Sequence, residues 1–310
     1  MTEKDMLTLY KPVGKIDIVL DTDTYNETDD QYAIAYLLAN KDRLNIKGFT
    51  VAPFENERLV SSIGEGQKKS KEEIIKILKL SGNTEYIDKI YSGSTEFLKD
   101  EQTPVLSDAV NYLIEESKNY NKEKRLYVVG IGAITNVASA IIKEPDIVDR
   151  ICIVWLGGAS FDWWINAEYN MYQDYAAARV VMGSKAPFVH VPAHGVINEF
   201  CTSKYELEHW LNGKNKLSTY LYEKCVQVAE SNTKYKAWSR VIWDVVAIAW
   251  LINDDNRFMY DRIENRYLPE YEGNKYNPNR LDDKMCVVHQ INRDALMTDM
   301  FEKLSQGECK

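Results

Sequence analysis

Short apolar runs alternate along the chain with stretches in which apolar residues recur every three or four positions. The runs predict buried strands, and the periodic stretches predict amphipathic helices. Strands are predicted at 16–20, 46–52, 125–129, 151–156 and 187–191, with a late strand pair within 280–291. Helices are predicted at 33–38, 71–80, from Pro104 to Ser117, and at 137–142, 175–182, 217–230, 243–252 and 295–304.

This alternation is typical of an α/β fold with a mostly parallel, doubly wound sheet. The chain has 310 residues, of which 45% are apolar, so it can bury a large core. No internal repeat, low-complexity linker or shift in composition marks a boundary. We therefore expect a single domain over 1–310, with a core at about 15–305.

The first predicted strand is followed by the densest group of acidic residues in the chain. Asp21, Asp23, Glu27, Asp29 and Asp30 lie within ten residues, between this strand and an apolar helix. The carboxyl ends of strands are where open α/β sheets bind ligands. Clustered carboxylates repel one another and need a cation or a shared proton. The pattern favours an oxygen-ligated calcium or magnesium ion over a solvated loop that only caps the helix.

A second polar group lies on the connection that follows the strand at 151–156. Asn166, Glu168 and Asn170 combine donors and acceptors, a set that suits the hydroxyl groups of a sugar. Asp174 follows them and is favoured as the N-cap of the helix at 175–182.

Two further residues leave their roles open. Asp244 comes after Trp243 at the start of an apolar helix, where an acid is either an N-cap or another metal ligand. His194 follows the strand ending at Val191, and a lone histidine in a loop is more often incidental than functional.

Charge and composition exclude several classes of partner. The net charge of −9 and the isoelectric point near 5.2 argue against nucleic acid and anionic membranes. Five scattered cysteines without metal-ligand spacing are typical of free thiols in a reducing compartment. With no signal peptide and no apolar run long enough to span a bilayer, we expect a cytoplasmic location.

Four segments at predicted strand ends together resemble one known family. They are Asp21-Thr-Asp23 with Asp29-Asp30; Gly132-Ala-Ile-Thr-Asn136; Leu156-Gly-Gly with Ala-Glu168-Tyr-Asn170 and Asp174-Tyr-Ala-Ala-Ala; and Trp243-Asp244. In this order they are similar to the motifs of the calcium-dependent nucleoside hydrolases of the inosine–uridine preferring type. That family has a mainly parallel, mixed sheet and forms homodimers or homotetramers, so the resemblance implies the same here.

The resemblance implies a metal centre and a reaction. Carboxylates of Asp23, Asp30 and Asp244 and the backbone carbonyl of Ile131 would hold Ca²⁺. Asp23 would also take the proton from a calcium-bound water. The implied activity is hydrolysis of the N-glycosidic bond of a small-molecule ribonucleoside, which releases the base and ribose.

The resemblance also implies which residues hold the sugar. Asp29 and the calcium would hold the 2′- and 3′-hydroxyls, and Glu168 and Asn170 the 3′- and 5′-hydroxyl side. Asp21 would orient its neighbours. Asp162 corresponds inexactly to a family asparagine that contacts the substrate.

The chain departs from the family pattern in three places. Five residues, Thr24 to Thr28, precede Asp29 where the family usually has three, so the loop must bulge and bring Asn26 or Glu27 toward the site. Trp243 replaces a histidine that protonates the leaving base in many members. The segment after Tyr91-Ser-Gly-Ser lacks a histidine-rich base-binding loop.

The tryptophan favours purine nucleosides as substrates. An indole face can stabilise a purine that becomes protonated as the bond breaks. We therefore predict a catalytic role for Trp243 in the base pocket, with a packed core tryptophan as the alternative.

Two other functions stay open. Asp21-Thr-Asp23-Thr24 also matches the opening motif of haloacid-dehalogenase-type phosphatases, in which Asp21 would be the nucleophile, magnesium the metal, and Asp282-Asp283 the late acidic pair. The other alternative is a non-catalytic relative that binds calcium and ribose.

Overall fold

The computed structural model describes residues 3–306 of the chain, in which strands and helices alternate. The strands are β1 (Ile16–Thr22), β2 (Leu44–Val51), β3 (Ile90–Tyr91), β4 (Leu126–Gly130), β5 (Ile151–Leu156), β6 (Phe188–Val191), β7 (Cys201–Ser203), β8 (Ser239–Val241), β9 (Met259–Asn265) and β10 (Lys284–Ile291). The α-helices are α1 (Glu3–Thr8), α2 (Asp29–Ala39), α3 (Ile63–Leu80), α4 (Asp108–Ser117), α5 (Thr135–Lys143), α6 (Tyr169–Gln173), α7 (Tyr175–Gly183), α8 (Lys204–Leu211), α9 (Lys216–Asn232), α10 (Val245–Trp250) and α11 (Arg293–Ser305). Short 3-10 helices lie at Thr84–Lys89, Pro145–Asp149, Ile197–Glu199 and Asp254–Asn256.

Eight of the strands form one sheet in the order β3-β2-β1-β4-β5-β6-β10-β9. Neighbouring strands are parallel except at the edge, where β9 runs antiparallel to β10. Strands β7 and β8 form a separate antiparallel pair. Because the strand order reverses between β1 and β4, a crevice opens at their carboxyl ends. The predicted fold class, a single-domain, doubly wound, mainly parallel mixed α/β sheet, is confirmed.

The central strands are buried on both faces, which explains their nearly continuous apolar sequences. In β1, Ile18 and Leu20 pack in an apolar cluster with α2, α3, α10 and α11, whereas Val19 packs in another with α4, α5 and α7. Burying each side chain of this size contributes about 1.5–3 kcal/mol. The two layers hold β1 and β4 in register, with Asp21 beside Gly130 at the crevice.

Most predicted elements are confirmed, with boundaries that differ by a few residues. The helix predicted at 33–38 begins at Asp29, and the helix predicted at 71–80 begins at Ile63. Both first turns contain polar residues, which interrupt the apolar spacing on which the prediction depended. For α2 the earlier start matters, because it places Asp29 and Asp30 inside the first helical turn.

The prediction that Pro104 opens a helix is wrong. Helix α4 begins at Asp108, and the hydroxyl of Ser107 accepts a hydrogen bond from the backbone N–H of Val110 at 3.2 Å. This cap satisfies a free donor of the first turn, so the helix starts at the serine rather than the proline.

The predicted strand pair within 280–291 is also wrong. Only Lys284–Ile291 forms a strand there, and its antiparallel partner is the earlier strand β9. Strand β9 lies at the sheet edge, where Asp261, Arg262 and Glu264 interrupt the apolar pattern.

The described cysteines are free thiols, as predicted. Cys152, Cys225 and Cys286 are buried and Cys201 is partly buried, whereas Cys309 lies outside the described residues. Between residues 3 and 306 no helix has the length and apolar character needed to cross a bilayer.

One buried histidine makes stability sensitive to acid. His190 lies on β6, and its Nε2 is 2.8 Å from the carbonyl oxygen of Gly157. Because a carbonyl oxygen only accepts, Nε2 carries the proton, and Nδ1 has no hydrogen-bond partner within the described structure. Burial lowers the pKa of His190 from its ordinary 6.5 to about 4, so the ring is neutral at pH 7.

We predict that His190 makes the free energy of unfolding fall as the pH drops from about 6.5 to about 4. In this range the imidazole binds a proton in the unfolded state but not in the folded state. The contribution of His190 to the free energy of unfolding is therefore complete above about pH 6.5 and is lost as the pH falls toward about 4. Across this pH range the contribution of His190 to the free energy of unfolding falls by about 3 kcal/mol. Urea unfolding of His190→Gln should show a smaller acid-induced loss than wild type. The exposed His289, changed to Gln, is the matched control, and an equal loss in all three proteins would contradict the prediction.

Candidate active site

The crevice at the switch point contains a cavity lined by residues from five separate parts of the chain. Most of them follow the carboxyl ends of β1, β4, β5 and β6, where parallel strands deliver their loops to the same edge of the sheet. The lining residues are Asp23, Asn26, Glu27, Asp29, Asp30, Ile131, Leu156, Glu168, Tyr169, Asn170, Ala193, His194, Trp243 and Asp244.

Three buried carboxylates lie close together in this cavity. Oxygen atoms of Asp29, Asp30 and Asp244 all lie within 4.8 Å of one another. Burial and then the charge of Asp30 raise the pKa of Asp29 to about 7, and burial raises that of Asp30 to about 6. The pKa of Asp244 is raised well above its ordinary value by burial and then by Asp29 and Asp30. The group therefore favours a bound cation or proton.

The position of Asp244 bears on its two predicted roles. It occupies the N-cap position of α10 but makes no capping hydrogen bond with its side chain. The carboxylate lies instead against Asp29 and Asp30, so the geometry favours the metal-ligand interpretation.

Asp23 lies beside this group but not within it. Its Oδ2 accepts a hydrogen bond from Nδ2 of Asn26 at 3.0 Å. Burial and then the charges of Asp30 and Asp29 raise its pKa well above its ordinary value. The structure thus places Asp29 in the tight group of three and Asp23 at its side, whereas the family resemblance implied Asp23 as a ligand.

The longer loop between β1 and α2 bulges into the cavity, as its length predicted. Asn26 and Glu27 both line the cavity. The bulge is held by a hydrogen bond from Gln31 Nε2 to the carbonyl of Thr24 at 2.9 Å, and by one from the hydroxyl of Thr22 to Asp30. The extra residues therefore add polar groups to the site.

Asp21 lies behind the cavity and is fully buried. Its Oδ1 accepts hydrogen bonds from Thr50 Oγ1 at 2.6 Å and Asn136 Nδ2 at 2.8 Å. Burial raises its pKa to about 6. Asp21 thus ties β1 to β2 and α5.

Glu168 and Asn170 use much of their hydrogen-bonding capacity within the protein. Glu168 accepts from the backbone N–H groups of Gly158 at 2.6 Å and of Asn170 and Met171 at 3.0 Å, so it caps α6. Asn170 Nδ2 donates to the carbonyl oxygens of Ile131 at 3.2 Å and Leu156 at 3.0 Å. Among described residues its Oδ1 has no donor, which leaves an acceptor for a sugar hydroxyl.

Three residues of the predicted polar connection, Asp162, Asn166 and Asp174, lie outside the cavity lining. Asn166 Oδ1 instead accepts a hydrogen bond from the backbone N–H of Ala159 at 2.9 Å. Asp174 caps α7 by accepting from the N–H of Ala177 at 2.9 Å, which confirms the favoured interpretation. Asp162 is exposed and is not brought together with the other predicted substrate-binding residues.

Trp243 is partly buried and borders both the cavity and the core. The guanidinium of Arg240 lies 5.5 Å from its ring centroid and also forms an ion pair with Glu27 of the longer loop. One tryptophan face therefore already contacts a cation, which links the loop to the residue beside Asp244. The indole N–H has no partner within the described residues.

Comparison with known proteins identifies the family. A profile of the inosine-uridine preferring nucleoside hydrolases matches residues 18–298, nearly the whole chain. The chain belongs to this family. The resemblance found in the four sequence segments is thus confirmed.

Relatives of this chain are distant in sequence and similar in fold. It is 30% identical over 122 residues to a probable uridine nucleosidase of Oryza sativa subsp. japonica, which is 38% of this chain and 37% of that protein. Its matches to curated relatives cover 28% and 37% of their lengths. A plant nucleoside hydrolase structure superposes with a TM-score of 0.75 at 18% identity, covering 94% of this chain and 99% of that chain. A purine-preferring ribonucleoside hydrolase from Gardnerella vaginalis superposes with a TM-score of 0.73 at 22% identity, covering 93% and 98%.

Neither the family match nor the geometry supports a phosphatase. Asp21 would be the nucleophile of such an enzyme, yet it is fully buried and absent from the cavity lining. A nucleophile has to reach the substrate. Asp282, offered as part of a late acidic pair, is exposed and likewise outside the lining.

Sequence reasoning missed some of the residues that line this cavity. Tyr169 donates its hydroxyl to the carbonyl of Glu55 at 2.6 Å, and Ala193 lies in the loop after β6 beside His194. Only the position of Tyr169 and Ala193 in the sequence could have indicated them. Both lie on connections that follow the carboxyl end of a sheet strand, next to Glu168 or His194.

Proposed function

We propose that this protein hydrolyses the N-glycosidic bond of ribonucleosides, releasing the base and ribose, with purine nucleosides preferred and Ca²⁺ as its cofactor. The observation that carries the proposal is one cavity that joins Asp23, Asp29, Asp30 and Asp244 to Asn170. That constellation lies within the segment that matches the nucleoside hydrolase family.

The donor set fits a hard divalent cation. The carboxylates of Asp29, Asp30 and Asp244 lie together, and Asp23 and Ile131 line the same cavity. The carboxylates and the Ile131 carbonyl offer oxygen atoms alone, which Ca²⁺ prefers. Their burial and the raised pKa values favour a positive partner. Calcium bound here would supply Lewis acidity and neutralise the cluster.

The protein's own residues account for the remaining chemistry. Asp23 is the base that takes a proton from the attacking water. Bond cleavage passes through an oxocarbenium-like ribosyl cation, which the surrounding carboxylates stabilise electrostatically. Asp29 and the free Oδ1 of Asn170 accept hydrogen bonds from ribose hydroxyls, and Glu168 holds the backbone around Asn170. Such positioning contributes several kcal/mol to lowering the barrier.

Trp243 is the residue that supports the purine preference. It lines the cavity next to Asp244, where its indole can stack against a base. The quadrupole of the Trp243 ring favours a protonated purine. The guanidinium of Arg240 already lies over one face of that ring. The Gardnerella protein, which has a similar fold, is described as purine-preferring. The rice relative is described as a probable uridine nucleosidase.

The assembly and location are proposed from the family resemblance and composition. We infer a homodimer or homotetramer in the cytoplasm, with nucleosides rather than nucleic acid or membranes as partners. The net charge of −9 supports the exclusion of anionic polymers.

The metal prediction is that the protein binds one calcium ion at the carboxylate cluster. Calcium at a hundredfold excess over its dissociation constant should stabilise the fold by about 2.7 kcal/mol. Asp30→Asn and Asp244→Asn should lose this calcium-dependent stabilisation in thermal unfolding, because each removes a charged oxygen ligand. Elemental analysis of both variants should also show less bound calcium. Asp282→Asn, at an exposed acid, should keep it. Zinc in the purified protein, or an undiminished gain in both cluster variants, would contradict the prediction.

The catalytic prediction is that Asp23→Asn lowers nucleoside turnover by about 10² or more while the fold persists. An amide cannot act as a base. The measurement is release of free base and ribose, with circular dichroism as the control for folding. Wild-type turnover in the variant would rule out this role. A nucleoside that raises the melting temperature of wild type without release of product would instead indicate a binding protein.

The specificity prediction compares kcat/KM for inosine, adenosine and uridine. Purines should be the better substrates, and Trp243→Ala should reduce their advantage over uridine by about tenfold, which corresponds to about 1–2 kcal/mol of lost interaction. Uridine as the best substrate of wild type would count against the preference. A Trp243→Ala variant that loses only stability would show that this tryptophan is a core residue.

A further inference from the structure

The cavity has to supply a proton to the departing base, and Trp243 is not an acid. Stacking stabilises a protonated purine but does not deliver the proton. The phenol among the described lining residues is Tyr169, whose hydroxyl already donates to the carbonyl of Glu55 at 2.6 Å. Burial raises the pKa of Tyr169, which makes it a still weaker acid. The proton donor must therefore be sought elsewhere in the cavity lining.

His194 lies in the same cavity lining as the carboxylates and Trp243. It follows β6, and its backbone is fixed to the loop after β5. Its N–H donates to the carbonyl of Gly158 at 3.4 Å, and its carbonyl accepts from the N–H of Ser160 at 2.8 Å. His194 and Ala159 also pair as a parallel bridge. This backbone anchoring makes His194 part of the rigid sheet edge.

The imidazole stacks on an aromatic ring and keeps both ring nitrogens available. It stacks on Trp163, with ring centroids 6.4 Å apart and an interplanar angle of 11°. Across residues 3–306 neither ring nitrogen forms a hydrogen bond with another group of the protein. The half-buried ring therefore has a donor site to offer to a ligand.

The residue after the histidine allows this packing. Gly195 has a φ of +86°, and a Cβ there would lie 2.5 Å from Ser160 Oγ and 3.1 Å from Trp163 Cε3. Another residue would strain the backbone and push the loop away from Trp163. Glycine at 195 thus lets the histidine loop close against Trp163.

We propose that His194 is the general acid that protonates the leaving base. This inference rests on the proposed function. As the bond between C1′ and the base nitrogen breaks, its electron pair goes to the base, and the proton of the His194 imidazolium goes to a ring nitrogen of the base. Water adds to C1′ and gives its proton to Asp23. Solvent restores the proton on His194 and removes the one on Asp23, so nucleoside and water yield base and ribose.

The surroundings of the imidazole agree with this role. Partial burial lowers the pKa of His194, which makes its protonated form a stronger acid. Trp163 is 39% exposed, so an aromatic surface continues from the histidine toward the solvent. The base would then lie among aromatic residues as its proton arrives.

The test compares two substrates that differ in their need for an acid. Inosine requires protonation of its base, whereas p-nitrophenyl β-D-ribofuranoside releases a stable anion without it. His194→Gln and His194→Phe should lower kcat/KM for inosine by about 10² or more and that for the nitrophenyl riboside by less than about threefold. The phenylalanine variant keeps a planar ring against Trp163, and His289→Gln is the exposed-histidine control.

Each outcome decides between the claims. Equal losses on both substrates would assign His194 to folding or sugar binding and overturn the inference. Unchanged activity on inosine would also overturn it. Failure of wild type to release ribose from either substrate would overturn the proposed function, and the inference with it. Melting temperatures of the variants, with and without calcium, separate a loss of acid catalysis from a loss of structure.

Discussion

The site depends on how the negative charge of four buried aspartates is balanced at one edge of the sheet. Asp23, Asp29, Asp30 and Asp244 come from the end of β1, the start of α2 and the start of α10. Burial is the largest cause of the raised pKa of each, and their mutual repulsion adds to it in Asp23, Asp29 and Asp244. A divalent cation among them would relieve the repulsion and the unfavourable desolvation together. The same crowding would provide the negative potential that favours a ribosyl cation.

The residues around this cluster are already committed to holding it in place. Asp21 joins β1 to Thr50 and Asn136, Glu168 caps α6, and the amide nitrogen of Asn170 binds two strand-end carbonyls. Of these three residues, Asn170 keeps its Oδ1 to meet a ligand, and it lies on the connection after β5 at the sheet edge. Such pre-organisation limits the reorganisation needed when the substrate binds.

The longer loop after β1 connects the metal side of the cavity to the base side. Asn26 contacts Asp23, and Glu27 pairs with Arg240, which lies over Trp243. A change in this loop would therefore affect both the proposed base and the proposed stacking residue. The two extra residues thus alter more than the length of a connection.

The sequence by itself determined the fold class, most of the sheet strands and the cluster of acids at the end of β1, because apolar period and strand-end position are local signals. It left Asp244 between two roles and His194 unplaced, and it did not find strand β9, whose edge position breaks the apolar pattern. Tertiary structure decided that Asp29, rather than Asp23, lies in the tight group with Asp30 and Asp244, and that His194 lines the same cavity. The physical reason is that contacts between distant residues are set by strand order and helix packing, whereas sequence periodicity reports only on neighbours along the chain.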